Sequence, residues 1–369
     1  MNSKTQPALT GLIDQVQAAR ASKTVLDIRG GDTKAFYGGA QRGEVLDTRP
    51  LAGISSYEPS ELVVTVRAGT PLAELEAALA EKGQCLPFEP PRFGGTEDAA
   101  GTVGGMVAAG LSGPARAAVG CVRDYLLGAT LLNGRAEVLN FGGTVMKNVA
   151  GYDVSRVLAG SLGTLGVICE VSLKVLPVAP STLTLRLEAE QAAAIRRLNE
   201  WGGQPLPLNA SAWWDGMLVL RLSGAVAAVS AAAKSIGGEP VDAALAHSFW
   251  TGLRDHRDEF FIGAAKAVEA GASLWRLSVP ATAAPLKLSG EQLLEWGGAQ
   301  RWICTSAPAS VLRDVAQAAG GHAVLFRSGD KTAGVFAPLA PPIDRIQQNL
   351  QRAFDPDGIF NPGRLGAAA

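Results

Sequence analysis

A chain of 369 residues exceeds what one hydrophobic core fills, about 250–300 residues, so two domains are expected. Its 33 basic and 34 acidic residues nearly cancel, which argues against a general affinity for nucleic acid or an anionic membrane surface. Four scattered cysteines, Cys85, Cys121, Cys169 and Cys304, offer no iron–sulfur or zinc spacing, so no metal site is expected. They read as small core residues in a reducing compartment. The first residues lack the basic cluster and unbroken apolar block of a secretory signal, and no apolar run approaches the ~18–20 residues of a spanning helix. The expected location is cytoplasmic, with any membrane contact made through a partner.

In chain order, 12–21 predicts a short helix and 24–28 a β-branched strand that runs into Arg29-Gly30-Gly31-Asp32-Thr33. No period-3.6 helix follows these glycines, and neither the three-glycine Rossmann spacing nor a phosphate loop ending in Gly-Lys occurs anywhere. Alternation predicts a strand over 61–67. Thr70-Pro71 then caps a helix over 72–82 that Gly83 closes. After a proline-rich loop, Gly101-Thr102-Val103-Gly104-Gly105 opens a helix of small residues whose first N–H groups would form an anion site. Strands over 127–132 and 136–140, joined by Asn133-Gly134, predict a hairpin.

The stretch 142–166 follows, holding six glycines, a Lys147-Asn148 pair and Gly151-Tyr152-Asp153. Such a run either bends sharply or lets backbone donors approach a ligand closely. It ends in a strand over 166–175. Residues 177–181 then mark a boundary, beyond which strands over 182–187, 217–222, 274–279, 301–305 and 322–327 interleave with helices over 189–200, 225–236, 243–264 and 310–319. That order predicts ferredoxin-like units with a sheet of their own. A last amphipathic stripe, Ile343, Ile346, Leu350 and Phe354, precedes Asn361-Pro362-Gly363-Arg364.

Four glycine-rich pieces in this order, Arg29 to Thr33, Thr102 to Gly105, Lys147-Asn148 with Gly151 to Asp153, and Gly163 to Ile168, resemble the vanillyl-alcohol-oxidase superfamily, whose flavin domain is also called PCMH-type. Gly110 to Pro114, Glu295 to Gly298, Gly321 to Ala323 with Leu325 to Arg327, and the stretch from Phe354 to Arg364 are similar to the smaller flavin subunit of three-subunit bacterial glycolate oxidases. The resemblance implies an α+β fold: an FAD-binding domain over 1–179, with subdomains of about 1–90 and 91–179, a ferredoxin-like cap over 180–335, and a segment 336–369 that returns to the FAD domain. It implies FAD contacts at Arg29, Gly30, Gly31, Asp32, Thr33, Gly101, Thr102, Gly104, Gly105, Ser112, Gly113, Arg123, Gly151, Tyr152, Asp153, Gly166, Val167, Ile168 and Arg364. Some members tether flavin through histidine or cysteine. Here the first histidine is His247, and only Cys121 lies near the second glycine segment, so dissociable FAD is expected.

The implied reaction oxidises glycolate or a similar short 2-hydroxy acid to the 2-oxo acid, with a larger flavin subunit and an iron–sulfur subunit as partners. It needs a cation for the carboxylate and a base for the hydroxyl proton. His322 and Arg327 are the candidates, with Arg276 and Arg301-Trp302 as neighbours. Strand parity puts 322 and 327 on opposite faces unless a bulge intervenes. His256, inside Arg254-Asp255-His256-Arg257-Asp258, reads as a solvated helix face. With only three histidines in the chain, a non-catalytic subunit that carries flavin or supports its partner remains the alternative.

Overall fold

The computed structural model describes residues 5–94, 101–144 and 153–366. It divides into two units, one of residues 1–111, 121–177 and 338–369, the other of 112–120 and 178–337. In the first unit, helix Thr5–Ser22 presents Leu12, Val16 and Ala19 at helical spacing to a core that includes Leu26, Leu46, Val167 and Phe360. Strand Leu26–Arg29 pairs in parallel with Glu44–Asp47. Beside them stands an antiparallel sheet in the order Ile54–Glu58, Val63–Arg67, Val167–Lys174, Leu126–Leu132, Val138–Gly142. Helix Leu72–Ala80 buries Leu72, Leu75 and Leu79 against Val64, Val66 and Val171 of that sheet.

Two details depart from the regular pattern that the sequence suggests. The hairpin does not turn on a two-residue Asn-Gly loop: Asn133 Oδ1 accepts the N–H groups of Arg135 and Glu137, and Ala136 takes the left-handed φ of 62°. Strand Val167–Lys174 carries a bulge, since Thr130 pairs with Glu170 but Leu131 with Ile168, leaving Cys169 as the extra residue. The bulge turns Ile168 toward the core of the antiparallel sheet, while Val167 and Cys169 join the core under the N-terminal helix.

The second unit is an eight-stranded antiparallel sheet in the order Glu239–Pro240, Ser181–Glu188, Met217–Gly224, Leu208–Trp214, Gln292–Glu295, Gln300–Thr305, Ser273–Ser278, His322–Arg327. Strands Leu208–Trp214 and Gln292–Glu295, which the sequence pattern misses, pair with each other and join the two halves into one sheet. The single helix expected over 243–264 is two, Ala243–Asp255 and Glu259–Glu269. His256 breaks them with a left-handed φ of 56°, and Asp258 Oδ1 accepts from Phe261 N to start the second.

Burial pushes the Asp258 carboxyl up to about 6. A raised carboxyl pKa favours folding below the ordinary value of 3.8, and that contribution is lost as pH rises through about 6. Asn caps a helix equally well without the buried charge. Asp258→Asn should therefore raise the melting temperature at pH 7.5, by a margin that shrinks toward pH 5; a variant that melts lower at pH 7.5 excludes this account.

Candidate cofactor cleft and cap-sheet residues

Strand Leu26–Arg29 delivers the chain into the glycine loop at the floor of a cleft in the first unit, with about 770 Å³ of space free of protein atoms, its open mouth included. Among the described residues, the N–H groups of Gly30, Gly31, Asp32 and Thr33 have no acceptor in the chain. Asp32 sits in the left-handed region at φ 54°, a conformation in which successive N–H groups turn to one side. The loop meets the second glycine segment without a gap: a Cβ on Gly30 would fall 2.2 Å from Thr102 Oγ1, and one on Gly101 would fall 2.8 Å from Thr33 Oγ1. The N–H groups of Gly101 and Thr102 are likewise without acceptors among the described residues.

The helix start itself differs from expectation. Helix Val103–Ala109 spends its first donors inside the protein: Val103 N bonds Thr70 O, Gly104 N bonds Ala68 O, and Gly105 N bonds Thr102 Oγ1. Gly104 and Gly105 still line the cleft, but a diphosphate would find its donors in the two loops. On the far wall stand Leu162, Gly163, Gly166 and Ile168. Ile168 lines the cleft and Val167 does not, as the bulge at Cys169 dictates. Strand Val63–Arg67 pairs only from Glu170 onward, so the Val167–Ile168 edge opposite strand Leu126–Leu132 is left uncovered by that neighbour.

The closing wall comes from far along the chain. Asn361 is buried with φ 43°; its Oδ1 accepts Ile28 N at 2.8 Å, its Nδ2 donates to Leu162 O at 2.6 Å, and its own N–H reaches Leu26 O. Arg364 is also buried and donates to the carbonyls of Ala35, Gly39 and Tyr37. Its guanidinium thus holds the turn after the glycine loop, and burial lowers its pKa. Arg29 is bonded at 2.7 Å to buried Asp27, which raises its pKa. The remaining sequence candidates take other places. Ser112 and Gly113 group with the second unit, where Gly113 O accepts Trp296 Nε1. Arg123 is exposed on the short helix Val122–Tyr125, and Asp153 accepts from Ser155 Oγ and pairs with Arg156; neither lines the cleft. Gly151 and Tyr152, with Lys147 and Asn148, lie outside the described residues. Lys34, Gln41, Thr48 and Ala68 line the cleft unforeseen.

A row of open N–H groups beside apolar walls of Ala68, Ala108, Ala109, Leu162 and Ile168 fits a dinucleotide with a flat ring system, and the contacts at Gly30 and Gly101 leave no room for side chains where its diphosphate would rest. No described residue lining this cleft is histidine, cysteine or tyrosine.

In the second unit, strand His322–Arg327 is bulged, because Trp275 pairs with Leu325 but Leu274 with Arg327. Phe326 is the extra residue, so the parity argument that separates His322 from Arg327 fails. Burial and nearby Arg276 lower the His322 pKa, and burial lowers that of Arg327 to about 10. Trp302 stands at 4.8 Å, edge to face, from Phe326, and Arg276 lies 5.6 Å from the same ring. His256 belongs to this group and not to a solvated face: its ring stacks on Phe261 at 3.6 Å and 4° and meets Trp302 at 4.9 Å. Burial, then Arg327 and Arg276, push its pKa well below the ordinary value. Arg301 is not a neighbour in this sense, being spent on the carbonyls of Gly298, Ala284 and Ala283. Among the described residues no three His, Cys, Asp or Glu side chains converge as a metal site.

Residues 10–155 match the family model of an FAD binding domain, and FAD is the chain's cofactor. The chain is 46% identical over 96% of its length to the glycolate oxidase subunit GlcE of Escherichia coli (strain K12), of which it covers 97%. It is 32% identical to a D-lactate dehydrogenase of Anaerostipes hadrus over 40% of this chain and 30% of that one. A solved alkyldihydroxyacetonephosphate synthase shares the fold, with a TM-score of 0.66 at 15% identity over 95% of this chain and 75% of that chain. The α+β architecture is thus the PCMH-type flavin fold, and the chain belongs to the family of the glycolate oxidase subunit GlcE, a family of FAD-linked oxidoreductases.

Proposed function

We propose that this chain holds FAD non-covalently and, as one subunit of a glycolate oxidase complex, takes part in oxidising glycolate or a similar short 2-hydroxy acid to the 2-oxo acid. The observation that carries the reading is end-to-end similarity to a glycolate oxidase subunit, joined to a cleft whose open donors suit FAD. The first histidine of the sequence is His247, well outside the matched residues 10–155, which supports a dissociable flavin. The partners proposed are a larger flavin subunit and an iron–sulfur subunit to receive electrons. No helix among the described residues is long and apolar enough to cross a membrane, and the chain is proposed to work in the cytoplasm, meeting the inner membrane only through those partners.

Bound FAD supplies the two-electron oxidant. The chain's own part is to bind and deprotonate: Arg327, with Arg276 near it, would pair with the substrate carboxylate, and His322 would take the hydroxyl proton. A lowered pKa keeps His322 neutral at pH 7, the form a base needs. The flat stacking of His256 on Phe261 favours a second reading, since it removes one of three histidines from acid–base duty and leaves a subunit that carries flavin for its larger partner. Anaerobic mixing of the purified holoprotein with glycolate separates the two. Bleaching of the oxidised flavin spectrum is expected for catalysis, lost in His322→Gln and Arg327→Met. A spectrum that bleaches only when the larger flavin subunit is added assigns this chain the carrier role.

A further inference from the structure

We propose that Glu295 is a positioning residue for carboxylate recognition: through Trp302 it sets where Arg276 and Arg327 stand. The inference rests on the carboxylate role proposed for those two arginines and goes beyond it in naming what holds them. Glu295 and Trp302 are buried, at 4% and 3% exposure. Glu295 Oε2 accepts Trp302 Nε1 at 2.7 Å and Gln300 Nε2 at 2.9 Å, so two buried donors converge on one oxygen. The glutamate is itself held by the turn it opens. Trp296, Gly297 and Gly298 all take positive φ, and the turn is tied by Gly297 N to Ser211 Oγ, by Trp296 Nε1 to Gly113 O and by Arg301 Nε to Gly298 O. A side chain on so firm a base keeps one direction.

The indole passes that position on. Trp302 pairs directly with Arg276 of the neighbouring strand, which places the two side chains next to each other on one face of the sheet. It also stands nearly perpendicular to three rings at once: Phe326 at 4.8 Å, His256 at 4.9 Å and Phe261 at 5.2 Å, with interplanar angles of 82°, 86° and 83°. Such contacts fix the plane of the ring, and the Nε1 bond fixes which edge of the indole points where. Arg276 in turn lies 5.6 Å from the Phe326 ring, and Phe326 is the extra residue of the bulge beside Arg327. An indole that loses its bond can turn, and Phe326 must follow. The ring beside Arg276 and the bulged backbone that aims Arg327 then move together.

The test titrates oxalate, which carries carboxylates but no hydroxyl to oxidise, into the FAD-loaded full-length chain by calorimetry. Glu295→Leu should raise the dissociation constant about ten- to a hundredfold, the cost of displacing a binding group by about 1 Å. The number of oxalate sites and the flavin per chain should stay at their wild-type values. Glu295→Gln should return the affinity to within about threefold of wild type, because a single carbonyl oxygen can accept both donors. A role confined to packing gives the opposite pattern, fewer sites at unchanged affinity and no rescue by glutamine. That pattern, or a leucine variant within about twofold of wild type, overturns the proposal. Should Glu295→Leu fail to fold, the wild-type chain still decides. A ligand that binds best when the indole is bonded must, by linkage, hold that bond, so saturating oxalate should slow deuterium exchange of the Trp302 indole N–H as read by NMR. Exchange at the same rate with and without oxalate overturns it. A wild-type chain that binds no oxalate overturns the carboxylate site and this inference together, whereas oxalate binding without reduction by glycolate removes catalysis from this chain and leaves the inference standing.

Discussion

Gly30→Ala should purify without flavin. The added Cβ would fall 2.2 Å from Thr102 Oγ1 and 3.2 Å from both Thr102 Cβ and Cγ2, so the whole side chain must move, not only a flexible tip. Moving it removes the Gly105 cap and separates the two loops whose N–H groups face the cleft. Overpacking of this kind costs about 1–3 kcal/mol in stability. The larger effect falls on FAD, because a displaced donor row loses several hydrogen bonds at once. The flavin absorbance per chain should drop to a few per cent of wild type, roughly the loss expected when two charge-assisted bonds go. Thr102→Ala in the same chain removes the Oγ1 and Cγ2 contacts and should restore part of the absorbance. Gly30→Ala purifying with a full complement of flavin would show that the seam between the loops does not form the cofactor site.

The second large effect is expected at Asn361. Its side chain bonds Ile28 N and Leu162 O, joining the strand before the glycine loop to the far wall, and a Cβ on Gly163 would collide with its Nδ2 at 2.6 Å. Asn361→Ala leaves a donor and an acceptor unpaired in a buried place, about 1–3 kcal/mol each, and puts alanine at φ 43°, about 1–2 kcal/mol more. A loss of at least about 3 kcal/mol should appear as a clear fall in the melting temperature of the apoprotein, together with weaker FAD binding. Asn361→Gly loses the same bonds without the backbone penalty and should melt between the two. Equal melting of wild type and alanine variant would rule out the clamp.

The parts of the cleft that were legible in the sequence are those written locally. A β-branched strand running into Arg29-Gly30-Gly31-Asp32-Thr33 announces a donor-rich turn, and that turn is there. What failed depended on distant partners. The start of helix Val103–Ala109 looks like an anion site until Ala68 and Thr70, more than thirty residues earlier, take its donors. Val167 and Ile168 look equivalent until a bulge sends one to a core and the other to the cleft. The same device at Phe326 overturns the parity argument for His322 and Arg327, because one extra residue reverses a period of two. His256 reads as solvated from its charged neighbours, but its left-handed backbone ends the helix and turns the ring onto Phe261. Lys34 gave no signal at all, since a lysine after a polar turn ordinarily faces water and only the fold brings Phe93 and Gly101 beneath it. How much of the FAD domain, cap and returning segment the boundaries 1–179, 180–335 and 336–369 capture is best judged by limited proteolysis.

The bond from Ile28 N to Asn361 Oδ1 spans 333 residues, and the whole second unit is synthesised in between. On the ribosome, the glycine loop emerges early and waits, with its lower edge unpinned, until 361 and 364 arrive. Loading of the flavin is therefore expected to be a late event in biogenesis, and a chain stalled or clipped before 361 should be colourless even when its second unit has folded. Possession of FAD then works as a molecular receipt that synthesis has passed residue 364: partners that recognise only the loaded form would pass over shorter fragments.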